Sequence, residues 1–549
     1  MRARSRRTSW WRAWWLGALV GSVVLAGCTS PGEDGGDDAD GEQLTAYDKK
    51  ILRAADPEAT GPAKAVEGAL NGGTITVLSS RSGPKSLNGT GNGHSRAIRA
   101  LVTRGLTQYE LRNGEPVLVP DLATDLGTSN KAGTRWEFTL REGVLWEDGD
   151  PVTSEDVARG IEAALDSPAG ERYFAVDSDG KSDGSEASDD TGAVVRTPDE
   201  QTVVVRTERP FGDLPYFVAS PNVAAVPSDD KPATLASGPY TVEKLSAEAA
   251  VLLPNDYWDP STDPVRQQYP DKWSFDFNRD AEEIQQRVAE DGEQGQVTIV
   301  PDDLDPETDA QVLEQAGDRA LVEPGRCVEV AYLNPESLSG AVRKAVLAAT
   351  PREATSLLPE WMPGRVNGPA KANGDSVTSK KVLEKADELA ATLTIYAVDD
   401  EEGQAAQQQA ERAYEKAGFQ VETETIARSD LKEIADGSEE PSEDVSLWPG
   451  ELCAEWPSGG GLFPLLEGEG SVLADVGGLE QRMRKIERQQ RDTALAAWGK
   501  LDRQLIESDP VVVPIRNVPD TALAGSRIDH LRLNPITGEP DYASVFLAE

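Results

Sequence analysis

Residues Arg135–Val157 read RWEFTLREGVLWEDGDPVTSEDV. Trp136, Phe138 and Leu140 alternate with Arg135, Glu137, Thr139 and Arg141, the period of two of a half-buried strand. Val144, Leu145 and Trp146 predict a second short strand, Glu147–Asp150 a turn, and Pro151 its end. Thr153 stands three residues before Asp156, where its hydroxyl can accept from the Asp156 amide as a helix N-cap. The helix it opens presents Val157, Ile161, Ala164 and Leu165 on one face.

Outward from this stretch the same two periods recur. Thr74–Leu78 predicts a strand, Ser95–Thr107 a helix presenting Ile98, Leu101 and Val102, and Thr202–Arg206, Val297–Val300 and Cys327–Leu333 further strands. Phe211–Phe217 reads as an aromatic core segment. Leu393–Val398, Gln404–Ala417 and Val421–Ile426 form a strand, helix, strand unit, with Ala406, Ala410, Ala413, Tyr414 and Ala417 on one helix face and Gly418 as its stop. Such a unit implies parallel strands joined by a crossover helix, so the expected class is α/β with a helix-covered sheet. Leu479–Leu505 predicts a largely helical stretch, Val511–Ile515 a strand and Asn534–Leu547 a terminal extended segment. At 549 residues the chain exceeds what one hydrophobic core supports.

Lysine plus arginine number 54 and aspartate plus glutamate 96, a formal charge of −42. A nucleic-acid binder must neutralise phosphates with a basic face, so no nucleic acid is expected as a partner. The excess acid suits a secreted, self-repelling body with a solvated surface. Arg2, Arg4, Arg6, Arg7 and Arg12 precede an apolar run, Ala13–Ala26, too short to span a bilayer and suited to the core of an export signal. The run closes on Leu25-Ala26-Gly27-Cys28, which looks like a lipobox: residues 1–27 are expected to be removed and Cys28 to carry lipid. Residues 28–70 lack apolar periodicity, read PGEDGGDDADGE at 31–42, and predict a flexible acidic tether. Cys327 and Cys453 are the remaining cysteines; in an exported chain a disulfide between them is expected, with two free buried thiols as the alternative.

Catalysis is hard to place. His94 and His530 are the only histidines, neither beside a G-x-S-x-G elbow, and no H-E-x-x-H or C-x-x-C occurs. Gly89–Gly93, GTGNG, lacks the lysine and the spacing of a phosphate-binding loop. Val176–Asp190, VDSDGKSDGSEASDD, is acidic, but Gly180 directly follows Asp179 and breaks EF-hand spacing, so a solvated insertion is expected there. No enzyme activity, metal or cofactor is expected.

Pro120-Asp121-Leu122-Ala123, WEFTLREGV at 136–144 and DGDPVTSEDV at 148–157 together resemble the signature of the family 5 extracellular solute-binding proteins, the peptide- and nickel-binding components of ABC importers. Arg104-Gly105-Leu106, Ser237-Gly238-Pro239-Tyr240 and the helix opening at Ala341-Val342-Arg343-Lys344-Ala345 also match, as does LLPNDYWD at 252–259, where Asp256 replaces a proline. The resemblance implies a two-lobed periplasmic-binding-protein-like fold of the large, three-subdomain type with an interlobe cleft. Its first lobe would span 71–325 as two subdomains and its second 326–509, with 510–549 returning to the first. It further implies a monomeric substrate-binding lipoprotein on the extracytoplasmic face of the cell membrane, capturing short peptides for permease subunits. The same fold binding a non-peptide solute, or a signalling lipoprotein, is the alternative; two histidines are few for nickel.

Cys453-Ala454-Glu455-Trp456 resembles the Cys-Ala-Asp-Tyr element of peptide-binding members, whose carboxylate pairs with the ligand's α-ammonium. A buried ammonium needs such a partner. Glu455 and Trp456, with Trp448 in the same segment, are therefore the expected ligand-binding residues. Glu455 is one methylene longer than Asp, and Trp456 is wider than Tyr. The alternative leaves Glu455 exposed on a Gly- and Pro-rich loop.

Overall fold

A computed structural model describes residues 55–87, 93–165, 168–174, 194–301, 304, 309–366, 372–399, 401–435, 441–442, 444–466, 478–508 and 510–549. The export signal, Cys28, the tether up to residue 54 and the acidic loop at 176–190 lie outside the described residues.

Ile75 and Val77 bury on one face of β1 (Thr74–Leu78), where α1 (Gly93–Val102) covers them with Ile98, Leu101 and Val102; Leu78 buries on the other. The chain then leaves the main sheet for the hairpin β2 (Thr107–Arg112) and β3 (Glu115–Pro120). A small subdomain follows: β4 (Thr128–Ser129), β5 (Arg135–Thr139), α2 (Ser154–Glu162), α3 (Pro168–Phe174), β6 (Val195–Asp199) and β7 (Thr202–Arg206). Its strands form an antiparallel sheet in the order β4-β5-β7-β6. Phe138, Leu140, Trp146, Val157 and Ile161 fill its core together with Phe211 and Phe217.

One local expectation in this subdomain needs correction. Val144–Trp146 is not a strand: Leu145 makes a single bridge to Pro151, which has no amide to extend a ladder. The expected cap of α2 is a reciprocal capping box, in which the Asp156 amide faces the Thr153 side chain and the Asp156 carboxylate answers the Thr153 amide. Thr153 Oγ1 donates to Asp156 Oδ2 at 3.1 Å, and the same oxygen accepts from the Thr153 amide at 2.8 Å and from Trp146 Nε1 at 3.2 Å. A hydroxyl donates and accepts at once, so its contact with the carboxylate is compatible with the cap.

β8 (Tyr240–Leu245), β9 (Ala249–Pro254), β10 (Lys272–Asp276) and β11 (Thr298–Pro301) return to the main sheet. β12 (Ala320–Leu333), α4 (Gly340–Ala349), β13 (Thr392–Val398), α5 (Glu401–Ala417), β14 (Gln420–Ile426), β15 (Leu447–Cys453), α6 (Leu479–Glu487), α7 (Arg491–Glu507) and β16 (Val512–Ala524) follow. Ten strands lie in the order β14-β13-β15-β12-β16-β11-β1-β10-β9-β8. β13 and β14 are parallel and joined by α5, the expected crossover. The second half of the sheet is buried on both faces: Val328, Val330, Trp448 and Leu452 pack with Trp361 and Trp498 on one, and Leu333, Leu393 and Ile395 pack with Val342, Val346 and Tyr414 on the other. The long helix expected over 479–505 is two, interrupted between Glu487 and Arg491.

Two strands join the halves. β12 and β16 pair antiparallel from Ala320↔Leu523 to Tyr332↔Val512. At one end β16 also pairs with β11; at the other β12 pairs with β15. Both strands are longer than the expected Cys327–Leu333 and Val511–Ile515, and the added parts contain Pro324, Gly325 and Pro519. In the ladder Pro324 faces Pro519, and register shifts fall between Pro324 and Cys327 and beside Pro514, so the missing amides sit at irregularities that tolerate them.

Residues 55–70, expected to belong to the tether, lie along the body. The Asp56 amide donates to the Leu118 carbonyl at 2.9 Å, the Asp56 carboxylate meets Arg112 at 2.9 Å, and the Ala63 amide donates to the Asp263 carbonyl at 2.8 Å. Main-chain and ionic contacts leave no apolar periodicity to read. At the other terminus β17 (Arg532–Asn534) and β18 (Glu539–Asp541) form a hairpin, and Tyr542, Val545 and Leu547 enter the core around β1.

The motif residues Arg104 and Asp121 prove structural. With Asp263 and Arg266 they form a charge-balanced cluster fully removed from solvent: Arg104 Nε to Asp121 Oδ1 is 2.7 Å, and Arg266 Nη1 lies 3.0 Å from Asp121 Oδ2 and 3.2 Å from Asp263 Oδ2. Burial would raise the Asp263 carboxyl, but the Arg266 and Arg104 charges overcome it and bring it down to about 2.

Candidate functional site

A cavity of about 220 Å³ opens where the small subdomain, the main sheet and the C-terminal hairpin meet. Its charged lining is Arg96 from α1, Arg326 from β12 and Glu455 just past β15. Tyr109, Phe217 and Trp456 supply aromatic wall, Ser220–Val223 a stretch of main chain, and Ile536 and Thr537 the turn between β17 and β18.

Local structure aims these groups. Gly325 and Arg326 have no partners in β16 and form the bulge that throws the Arg326 side chain out of the ladder. Gly538 leaves it room: with φ at +70°, its absent Cβ would stand 2.9 Å from Arg326 Cδ. Next in the chain, Cys327 is the direct register partner of Cys453, with Cα atoms 4.0 Å and Sγ atoms 2.05 Å apart. The Ala454 amide donates to the Arg326 carbonyl at 2.9 Å, and Arg326 Nη1 donates to the Ala454 carbonyl at 3.2 Å. The Glu455 amide donates to the Gly461 carbonyl at 3.0 Å, folding the buried Gly459–Gly461 back over Trp456. A Cβ on Gly461 would lie 2.8 Å from the Trp456 ring. The glycines expected in an open loop are therefore packing devices.

Glu455 is half-buried at the cavity wall. Burial pushes its carboxyl above the ordinary glutamate range, and the charges of Arg326 and Arg96 oppose that rise. The Arg326 guanidinium is pushed down by burial and then by Arg96, with Glu539, Asp520 and Glu455 acting the other way. Arg96 meets Glu539 at 2.9 Å.

Trp456 is more enclosed than a stacking surface would be. It is 1 % exposed, with Phe211, Phe217 and Tyr173 rings at 5.6, 5.8 and 6.3 Å, and its Nε1 donates to Asp213 Oδ2 at 3.2 Å. Trp448 is not brought to the cavity. It packs on Tyr332 in the core of the second half, and five residues of extended strand separate it from Cys453 by about 16 Å. Neither histidine lines the cavity: His94 Nε2 meets Ser79 Oγ at 2.9 Å and His530 Nδ1 meets Ser544 Oγ at 2.7 Å.

Ion pairs tie the small subdomain to the second half beside the cavity. Arg172 reaches Glu480 at 2.8 Å and Glu487 at 2.7 Å, Arg209 reaches Glu480 at 2.7 Å, and Arg491 Nε lies 2.9 Å from Asp213 Oδ1. The Arg491 guanidinium also lies 3.9 Å from the centre of the Tyr216 ring. Sequence reading found none of Arg96, Arg326, Asp213 and Arg491. Arg326 alone carried a signal, its place beside Cys327; the others are scattered arginines and an aspartate in a chain full of both.

The family model for bacterial extracellular solute-binding proteins, family 5 (middle), matches residues 117–463. Oligopeptide-binding protein OppA of Bacillus subtilis (strain 168) is 32% identical over 118 residues, which are 21% of this chain and 20% of that protein. Periplasmic murein peptide-binding protein MppA of Escherichia coli (strain K12) is 29% identical over 171 residues, 27% of this chain and 30% of that one. The aligned segments thus span less than a third of these relatives. Among solved structures, clavulanic acid biosynthesis oligopeptide binding protein 2 superposes with a TM-score of 0.74 at 20% identity, covering 90% of this chain and 99% of its own, a likeness of fold.

Proposed function

The chain belongs to the bacterial extracellular solute-binding proteins of family 5, and on that premise we propose that it captures short peptides in this cavity and hands them to the permease subunits of an ABC importer. The observation that carries the reading is Glu455, a desolvated carboxylate at the cavity wall that accepts no hydrogen bond from the described residues. A peptide's α-ammonium supplies the cation such a group lacks, and the group supplies the acceptor the ammonium needs on leaving water. The names of the relatives, oligopeptide- and murein peptide-binding, favour peptide over sugar or metal chelate.

In the same reading the 1–27 segment directs export, and Cys28 carries the lipid that holds the body at the outer face of the membrane. Cys327 and Cys453 are then an oxidised pair. No helix among the described residues is long and apolar enough to cross a membrane. The test is native mass spectrometry of protein purified from its own envelope, followed by calorimetry with tetra-alanine and N-acetyl-tetra-alanine. We expect a co-purified mass that sequences as a short peptide, and binding that N-acetylation weakens by about 30-fold or more. A co-purified sugar or metal chelate, with no peptide binding, would overturn the reading.

A further inference from the structure

Two cations and two carboxylates meet at the cavity, but they are not all closed into ion pairs. Arg96 is answered by Glu539 at 2.9 Å. Glu455 and Arg326 remain, held beside one another because Arg326 hydrogen-bonds the carbonyl of Ala454, the residue before Glu455. A guanidinium has five N–H donors. In Arg326 one is used, on that carbonyl, and no carboxylate of the described residues stands at ion-pair distance from it. The side chain is nevertheless built into place: a bulge aims it, Gly538 makes room for it, and the Cys327–Cys453 pair fixes the backbone next to it.

Building on the peptide reading above, we infer that Arg326 is a specificity-determining residue that selects ligands carrying a carboxylate close to their α-ammonium. A ligand offering only an ammonium answers Glu455 and places its positive charge near a desolvated guanidinium. A ligand offering both groups satisfies both walls, and the planar fork of Arg326 suits a carboxylate in two-point contact. At about 220 Å³ the cavity is smaller than the usual ligand pocket of roughly 300–1,000 Å³, so it takes one end of a ligand or a very short one. Two sources of carboxylate meet these terms: the side chain of an N-terminal aspartate, and the C-terminus of a dipeptide.

Calorimetry on the unmodified full-length mature protein decides between them and against both. The probes are Asp-Ala-Ala-amide with Asn-Ala-Ala-amide, and Ala-Ala with Ala-Ala-amide. One acidic member should bind roughly 10- to 100-fold tighter than its neutral counterpart, the range for hydrogen bonds to a charged group. The first pair reports a side-chain carboxylate and the second a C-terminal one. Arg326→Gln should bring the preferred ratio close to one. Binding of the peptides without acid preference, or a preference that survives in Arg326→Gln, would overturn this inference and leave the peptide reading intact. Failure of every probe to bind would remove both. The ligand pairs decide on the parent protein alone if the variant does not fold.

Discussion

Replacing Glu455 by Gln removes a charge and almost no volume, so the fold should survive while free-amine peptide loses about 2–5 kcal/mol of binding, the penalty for stranding a desolvated partner. N-acetylation of the peptide should cost the parent protein a similar amount, and the two losses should not add because each removes the same ion pair. Calorimetry on the four combinations measures this; full additivity would take Glu455 out of the site. Burial has raised its carboxyl, so affinity should fall as pH drops from neutrality into an acid range displaced upward from that of an exposed glutamate. Glu455→Gln should flatten that profile. Asp502 on α7 makes a separate prediction. It accepts from Ser356 Oγ and the Leu357 amide, both at 2.8 Å, yet burial dominates and raises its carboxyl to about 6. A raised carboxyl contributes stability that is complete below the unfolded value near 4 and is lost as pH rises through about 6. Asp502→Asn, whose oxygen can still accept from the Leu357 amide while its NH2 donates to Ser356 Oγ, should therefore melt higher than the parent near pH 8, by up to about 3 kcal/mol in stability, and lose that advantage near pH 4. An advantage equal at both pH values would mean that Asp502 does not titrate as its burial implies.

At the scale of elements, β12 and β15 carry the site between them. The Cys327–Cys453 pair spans 126 residues of chain, a closure worth about 4–5 kcal/mol in the chain-entropy model. Denatured, unreduced mature protein should show no free thiol, and the double Ser variant should unfold at lower urea and bind peptide more weakly, since Arg326 and Glu455 flank the pair. Two free thiols in the parent would sink the claim. The crossover unit of β13, α5 and β14 was legible because apolar period and flanking glycine agreed. β12 and β16 were not legible in full: a proline ends a strand only where the ladder needs its amide, and the partner's register is invisible in one sequence. For the same reason Trp448 and Trp456 looked like one site when strand geometry sends them to different cores. Glu455 was singled out through its neighbours' wording and lines the cavity, whereas Arg326 joins it there through the fold.

Across the whole molecule, the arginine–carboxylate contacts at 172, 209 and 491 must break if the halves part to release ligand. Arg172 and Glu487 are 7% and 3% exposed, so parting exchanges a buried pair for two hydrated ions. Arg172→Met leaves Glu487 without its cation in the joined state alone, and should speed peptide release roughly 10-fold or more without touching the cavity. Stopped-flow release rates test this, and an unchanged rate would mean that the pairs persist through release.

β16 lies in the middle of the ten-stranded sheet, yet it spans residues 512–524 of a chain of 549. A ribosome therefore delivers this central strand after the other nine of the sheet. Until it emerges, β12 lacks the neighbour that joins it to β11, and neither half has its full complement of strands. A nascent chain built in this order cannot complete the sheet before β16 emerges. A stop codon placed after Glu507 should accordingly yield no cooperatively unfolding product, as urea titration followed by tryptophan fluorescence would reveal.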